Sequence, residues 1–425
     1  MLDKIRIRNF KSIDDLSIDL GRFNVFIGEN GCGKSNILES IVYTSAAFNK
    51  NIENEFLALR GARTSAPLLM RSGFDKEMLS KDILIDINVK DHKYSFSFQN
   101  DNQAFSKWKA SLLLDDNTLI KDINPISETH DLEPLSKLKE EVLGDLETLQ
   151  KQIPGSEDEK LTNKQLSNNL QSILKRINDQ IIRVKTELTH SLTNRLFKSL
   201  DDEAGLLNYM IYSPENFFLR RFEYENSYVE PLGHRGEGLL NLIKIIKKGK
   251  SDQYTSIIKN LFLIDWFSSF DIKEESSLGE IEFSIDDKYL EDGLKSFDIR
   301  NANEGFFFIL FYVTLFTSDY TPPFFAIDNI DTALNPKLCS KLISVLSELA
   351  AQNNKQVIIT THNPSVLDGL NLNNDEERLF VVSRNAVGNT RVKRIEKKAP
   401  LEGEQPVKLS EQFLRGYIGG LPKNF

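Results

Sequence analysis

The run Gly28-Glu29-Asn30-Gly31-Cys32-Gly33-Lys34-Ser35 constrains this chain more than any other segment. It fits the pattern G-x-x-x-x-G-K-[ST], in which glycines let backbone N–H groups curl around phosphates without side-chain obstruction. The flanks suit that task. Phe23-Asn24-Val25-Phe26-Ile27 reads as a buried strand running straight into Gly28, and Ile37, Leu38, Ile41 and Val42 have the apolar spacing of a helix beginning at the loop. A helix start adds its positive dipole end to the cradle. The run therefore predicts an α/β fold with a nucleotide site between strand and helix. In it Asn30, Gly31, Cys32 and Gly33 line the phosphates of ATP, Lys34 neutralises the β- and γ-phosphates, and the Ser35 hydroxyl ligates Mg²⁺.

A magnesium site of this kind needs a second acidic element. Phe324-Phe325-Ala326-Ile327-Asp328 is an apolar strand ending in a carboxylate, the Walker B arrangement, and Asp328 is the residue placed to hold the cation. A further strand, Gln356–Thr360, leads to Thr361-His362-Asn363-Pro364, where His362 can reach a γ-phosphate or position the attacking water. Asn303-Glu304-Gly305 opens a long apolar helix, Phe306–Phe316, whose first N–H groups form either an anion site or a simple capped start.

The remaining chain sets the context. With 40% hydrophobic and 27% charged residues it has the composition of a globular protein. No run of about 18 apolar residues is present, and Met1-Leu2-Asp3-Lys4-Ile5 alternates charge with apolar residues, so the reading is cytoplasmic with no membrane partner. Two cysteines, Cys32 and Cys339, are too few for a disulfide framework or a zinc site. A net charge of −9 argues against a uniformly basic nucleic-acid coat. Two basic clusters, Lys244–Lys250 and Arg391–Lys398, read either as solvated surfaces or as contacts for nucleic acid or an acidic partner. Strands are expected near Ile5–Ile7, Leu16–Leu20, across 83–98 and at Leu206–Tyr212, and helices at Gly238–Ile246, Ile257–Trp266 and Pro336–Leu349. Between about 131 and 200, apolar residues recur at spacings of three and four on either side of Pro154-Gly155-Ser156. This predicts a helical hairpin whose arms reach roughly 30 Å at about 1.5 Å per residue. The expected organisation is a head formed by 1–105 and 205–400, a helical insertion at 106–204 and a tail at 401–425.

This order of elements resembles the ABC-type ATPase heads of the RecF, SMC/Rad50 and OLD-like families. The resemblance rests on Ile5-Arg6-Ile7-Arg8-Asn9-Phe10-Lys11-Ser12, on Gly28–Asn36, on Asp331-Thr332-Ala333-Leu334-Asn335-Pro336 at the D-loop position and on His362 as the switch histidine. It covers about residues 1–100 and 205–400. It implies a P-loop NTPase head interrupted by a helical hairpin or short coiled coil, with Lys11, Ser12 and Asn36 near the nucleotide. It also implies ATP sandwiched in a homodimer or higher oligomer, where Asn303-Glu304-Gly305 stands at the signature motif and meets the other subunit's phosphates. One position departs from the family: Asn329 stands where the catalytic glutamate should follow Asp328. An amide cannot accept a proton as a carboxylate does, so the resemblance implies slow hydrolysis, with Asp331 as a substitute base. The sequence given does not continue into the Toprim nuclease domain of OLD-type proteins. It is similar in architecture to ATPase subunits of the Septu and PARIS antiphage systems, which implies a separate nuclease effector as partner. The alternative is a RecF-like repair or maintenance ATPase whose closed dimer binds DNA.

Overall fold

The computed structural model describes residues 1–103, 106–114, 119–120, 133–151, 163, 165–180, 198, 200–221, 231–274, 281–291, 294, 296–397 and 407–421. Two compact units emerge, Met1–Lys109 with Leu200–Phe425, and Ala110–Ser199. The first unit opens with β1 (Lys4–Phe10), β2 (Ile13–Asp19) and β3 (Phe23–Ile27), where apolar alternation predicts them. β1 pairs antiparallel with β2 and with β4 (Ile83–Val89), and β4 pairs with β5 (His92–Gln99). Between β3 and β4 lie α1 (Lys34–Phe48), α2 (Asn54–Leu59) and α3 (Pro67–Met70). α1 is buried along almost its whole length. On one side its Tyr43 packs edge-on against Phe10 and Phe98, with ring centroids 5.3 and 5.8 Å apart, and on the other it meets β8 (Ile211–Tyr212) and β13 (Gln356–Thr361). The helix that leaves the phosphate loop is thus clamped between two layers.

In the second unit, β6 (Lys109–Leu114) turns back onto β7 (Leu119–Ile120). Two helices follow, α4 (Glu133–Lys151) and α5 (165–180), and they share an apolar seam of Val142, Ile177, Leu170 and Leu174. The Pro154-Gly155-Ser156 break and the end of the expected second arm at 181–197 lie outside the described residues.

The rest of the first unit builds the nucleotide-side sheet, in the order β15-β14-β3-β13-β12-β8. β12 (Phe324–Ile327), β13, β3, β8 and β14 (Glu377–Arg384) are parallel, and β15 (Thr390–Ile395) closes one edge antiparallel. One expectation needs shortening. Only Ile211–Tyr212 of the expected strand Leu206–Tyr212 pairs, because Tyr209 N donates to Leu206 O at 3.2 Å and closes a turn. α6 (Asn216–Leu219), α7 (Leu239–Gly249) and α8 (Ser251–Leu261) follow. The helix expected at Ile257–Trp266 is displaced. α8 begins at Ser251 and stops at Leu261, where Ile264 N and Phe267 N bond three residues back and uncoil the chain.

A small antiparallel sheet of β9 (Phe267–Glu274), β10 (Ile281–Asp287) and β11 (Ser296–Asp298) leads into α9 (Glu304–Thr317). From Phe306 to Thr317 every residue of α9 is buried, with Phe316 against Phe325 of β12 at 5.1 Å and Phe311 against Tyr212 of β8 at 5.8 Å. Each such buried phenylalanine contributes about 1.5–3 kcal/mol, so α9 is a main anchor of the sheet face opposite α1. α10 (Pro336–Gln352) and α11 (Leu409–Leu414) complete the unit. Among the described residues no helix is long and apolar enough to cross a membrane.

Candidate functional site

Parallel pairing brings the carboxyl ends of β3, β13, β12 and β8 to one edge of the sheet, the edge where open α/β sheets bind ligands. Ile27 leads into the phosphate loop, Thr361 into His362, Ile327 into Asp328 and Tyr212 into Ser213. The loop takes the conformation that its glycines permit. Gly31 and Gly33 have φ of +74° and +110°, and a Cβ on Gly33 would stand 2.1 Å from Thr390 Oγ1. Gly33 is also the residue before α1, and no side chain caps that helix, so its first N–H groups are left for an anion.

The lysine of the loop is 6% exposed, and its ammonium donates to Gly28 O at 2.9 Å, Glu29 O at 3.1 Å and His362 Nδ1 at 3.4 Å. Burial pushes the Lys34 pKa below its ordinary value. Burial, and then the neighbouring Lys34 charge, lower that of His362, which keeps the imidazole neutral and its Nδ1 able to accept. Cys32 packs in the same loop, and burial raises its thiol pKa, so the thiolate needed for redox chemistry is disfavoured. Burial pushes Cys339 up to about 11 in the same way.

Ser35 Oγ donates to Asp328 Oδ2 at 3.0 Å, and the Thr360 hydroxyl donates to Asp328 Oδ1. Thr360 Oγ1 also accepts from Asn329 N at 3.0 Å, so one threonine of β13 holds the carboxylate and the turn behind it. A hydroxyl at the start of α1 and a carboxylate just beyond β12 are two oxygen donors of the kind that a magnesium ion shared with substrate phosphates takes from a protein. Asn329 itself has φ +56°. Asp331 is turned toward β13, where its carboxylate accepts from Thr361 Oγ1 at 2.6 Å.

Lys11, Ser12 and Asn36 gather on the β1–β2 side of the loop. Asn36 Nδ2 donates to Ser12 Oγ at 2.6 Å, and Ser12 Oγ lies 2.7 Å from Thr390 Oγ1, which donates to Cys32 O at 2.9 Å. Lys11 Nζ donates to the buried Glu39 at 2.5 Å, and Arg63 Nε donates to the same carboxylate at 2.7 Å. Lys11, Ser12, Asn36 and Arg63 line a cleft of about 460 Å³ with Arg71 and Arg384. Asn30 and Gly31 are exposed at the loop tip, where Gly31 O accepts from Arg384 Nε at 2.8 Å. Asn303, Glu304 and Gly305 stand apart from the phosphate loop. Asn303 Oδ1 accepts from Phe306 N at 2.8 Å and caps α9, while Gly305 packs toward Ala333 O and Leu334.

Glu39, Arg63, Thr360, Thr390 and Arg384 escape the sequence reading. Glu39 left one signal, a carboxylate within a helix whose neighbours are nearly all core residues; Thr360, Thr390 and Arg384 are brought in by pairing between distant strands, and Arg63 by the loop between α2 and α3. Of the basic clusters, Lys247 pairs with Asp271, Lys250 with Asp319 and Arg394 with Asp375. Much of that positive charge is balanced locally.

The family model of the AAA ATPase domain matches residues 1–367. The chain belongs to this family. Over 84 residues, 19% of this chain and 10% of the relative, this ATPase is 34% identical to the DNA double-strand break repair Rad50 ATPase of Saccharolobus solfataricus. Over 89 residues, 21% of this chain and 23% of the relative, it is 32% identical to the DNA replication and repair protein RecF of Clostridium botulinum. The chain therefore spans well under a third of the length of either curated relative. A solved SMC head bound to the C-winged helix domain of ScpA has the same fold, with a TM-score of 0.52 at 13% identity over 93% of this chain and 98% of that one. The architecture is that of an ABC-type ATPase head of the RecF, Rad50 and SMC type.

Proposed function

We propose that this ATPase binds ATP–Mg²⁺ at Gly28–Ser35, closes on it as a homodimer and hydrolyses it slowly, with closure on DNA as its output. The observation that carries this reading is the hydrogen-bonded chain Ser35–Asp328–Thr360 beside the buried Lys34, all at the carboxyl ends of parallel strands. Ser35 and Asp328 hold the cation, which neutralises phosphate charge when bound. Lys34 exchanges its carbonyl partners for phosphate oxygens, and His362 and Asn329 orient the attacking water by hydrogen bonding. Lys11, Ser12 and Asn36 face the nucleoside end of the ligand. Asn303–Gly305 of a second copy complete the site from the other side. In this reading the head comprises 1–105 and 205–400, and 106–204 is a helical insertion. Asn329 removes the usual base, so turnover falls below the ordinary range of about 1–100 s⁻¹.

DNA is the favoured partner because both curated relatives act in DNA repair by name. Control of a separate nuclease in antiphage defence is the second reading. One experiment tests both. Native mass measurement of the protein from its own host, with and without ATP–Mg²⁺, compares wild type with Lys34→Ala. A dimer that forms only with ATP in the wild type, and whose DNA binding ATP strengthens and salt weakens, is the expected result. Identical masses under all conditions would overturn the gated dimer. A co-eluting nuclease that Lys34→Ala releases would move the output from DNA to the effector.

A further inference from the structure

We infer that Glu215, three residues beyond the end of β8, is the base that takes the proton of the attacking water. This rests on the ATPase reading above and adds to it a residue on a second wall of the site. A cleft of about 330 Å³ has Ser35 and Asp328 on one wall and Ser213, Glu215, His234 and Arg235 on the other. The pairing of β8 with β12 sets the two walls level, since Asp328 N donates to Tyr212 O at 2.8 Å. The chain then leaves the sheet as Ser213-Pro214-Glu215, at the same edge from which the phosphate loop and His362 emerge.

This wall is built firmly. Ser213 N donates to His234 O at 2.8 Å and Glu215 N to Arg235 O at 2.9 Å, a short ladder that fixes the backbone of Glu215. The opposite strand of the ladder is a closed turn, in which Gly233 N bonds Glu237 O at 2.8 Å and Arg235 N bonds Glu237 Oε2 at 2.8 Å. Gly236 holds the turn at φ +97°, where an added Cβ would stand 2.4 Å from Leu219. Arg235 gives its guanidinium to Glu237 Oε1 at 2.9 Å and to the face of Phe218, 4.1 Å away, and is thereby drawn from Glu215.

The carboxylates of this cleft differ in one respect. Asp328 is held by Ser35 and Thr360, and Glu39 by Lys11 and Arg63. Among the described residues, Glu215 carries the carboxylate in the cleft that no side-chain donor holds. Asp331, the other candidate, is engaged by Thr361 and does not line this cleft. Glu215 therefore brings to the cleft it shares with Ser35 a carboxylate able to take a proton, which the amide of Asn329 cannot do. In the step, the water oxygen bonds the γ-phosphorus as the bond from that phosphorus to the β–γ bridging oxygen breaks. The water proton passes to Glu215, ADP keeps the bridging oxygen, and the proton then leaves to solvent.

The test is Glu215→Gln in the full chain, which keeps the side-chain shape and the backbone ladder. Calorimetry with a non-hydrolysable ATP analogue and magnesium, and the melting temperature, are expected to match wild type. Single-turnover hydrolysis is expected to fall by about 10²–10⁴-fold, the range of general-base catalysis. ATP is expected to stay on the protein through gel filtration. Wild-type turnover in Glu215→Gln, beside lost turnover in Lys34→Ala, would overturn the assignment and leave the ATPase reading standing. A parallel loss of affinity and melting temperature would also overturn it, by making Glu215 a structural residue. Wild-type hydrolysis no faster than Lys34→Ala would overturn the ATPase reading and this assignment together.

Discussion

Two helices of this molecule begin at positions proposed to meet phosphate, and they begin differently. α1 starts from Gly33 in the left-handed region with no side-chain cap, so its first N–H groups point unsatisfied into the loop. α9 starts from Asn303 in extended conformation, its first turn is closed by the Asn303 side chain on Phe306 N, and Glu304 adds a negative charge there. A capped, acidic start is a stable helix end in water and a poor anion site. The difference teaches where the free energy of nucleotide binding is stored. Within one subunit, α1 is preorganised for phosphate, while α9 must give up its own cap to accept one. Dimer closure in the proposed scheme is therefore a cap exchange, with the γ-phosphate of one subunit replacing Asn303 Oδ1 of the other.

The comparison breaks most readily at α1. Gly33→Ala places a Cβ 2.1 Å from Thr390 Oγ1 and 2.8 Å from Ser12 Oγ at a φ that alanine disfavours. Strain of about 1–3 kcal/mol is expected from the backbone alone, with ATP binding lost in a fluorescent-nucleotide titration. Retained affinity would mean that the loop adapts and is not preorganised. At α9 the expected effect is smaller and has two signs. Asn303→Ala removes the cap and is expected to lower stability by about 0.5–2 kcal/mol in denaturant melts. The same change frees Phe306 N, so ATP-driven dimerisation per unit of folded protein should be undiminished if cap exchange is right. A dimer abolished in proportion to the lost cap would make Asn303 a recognition group in its own right. Glu304→Gln is the mildest. Its stability should fall by about 0.3–1 kcal/mol through the helix dipole, while ATP-bound dimer should form at lower protein concentration as the repulsion between Glu304 and the incoming phosphate is removed. No change in the dimerisation midpoint would place Glu304 away from the phosphate.

The same contrast separates what could be read along the chain from what could not. The loop at Gly28–Ser35, the carboxylate after Phe324–Ile327 and the histidine after Gln356–Thr361 are each marked by a contiguous pattern, an apolar strand ending in a polar residue. The adjacency of Ser35 to Asp328 and of Lys34 to His362 follows once those strands lie parallel. Thr360, Thr390 and Glu39 carry no such mark, because a threonine in a strand and a glutamate in a helix are ordinary until long-range pairing sets them against the loop. Glu215 was hidden for another reason. Seven residues, Leu206–Tyr212, have the composition of a strand, yet only the final two pair, so the end of β8 is defined by Met210 and Tyr212 bonding to β12 and not by hydropathy. The displaced start of α8 has a related origin: Ile257 and Leu261 mark its buried face, whereas its polar first turn at Ser251–Tyr254 gives no apolar signal.

The place of β3 in the sheet has a consequence for how this protein is made. β3 is synthesised early but lies between β13 and β14, and the side chain of Asn24 bonds the carbonyl of Val357, 333 residues away. At a ribosomal pace of about 5–20 residues per second, that strand waits roughly 20–70 s for its neighbours. Until then the phosphate loop has no sheet behind it, and the apolar Phe23–Ile27 lacks both of its strand neighbours. The nucleotide site is thus one of the last parts of the molecule to come into being. Any truncation of the nascent chain before Val381 leaves a product in which β3 lacks a complete pair of neighbours.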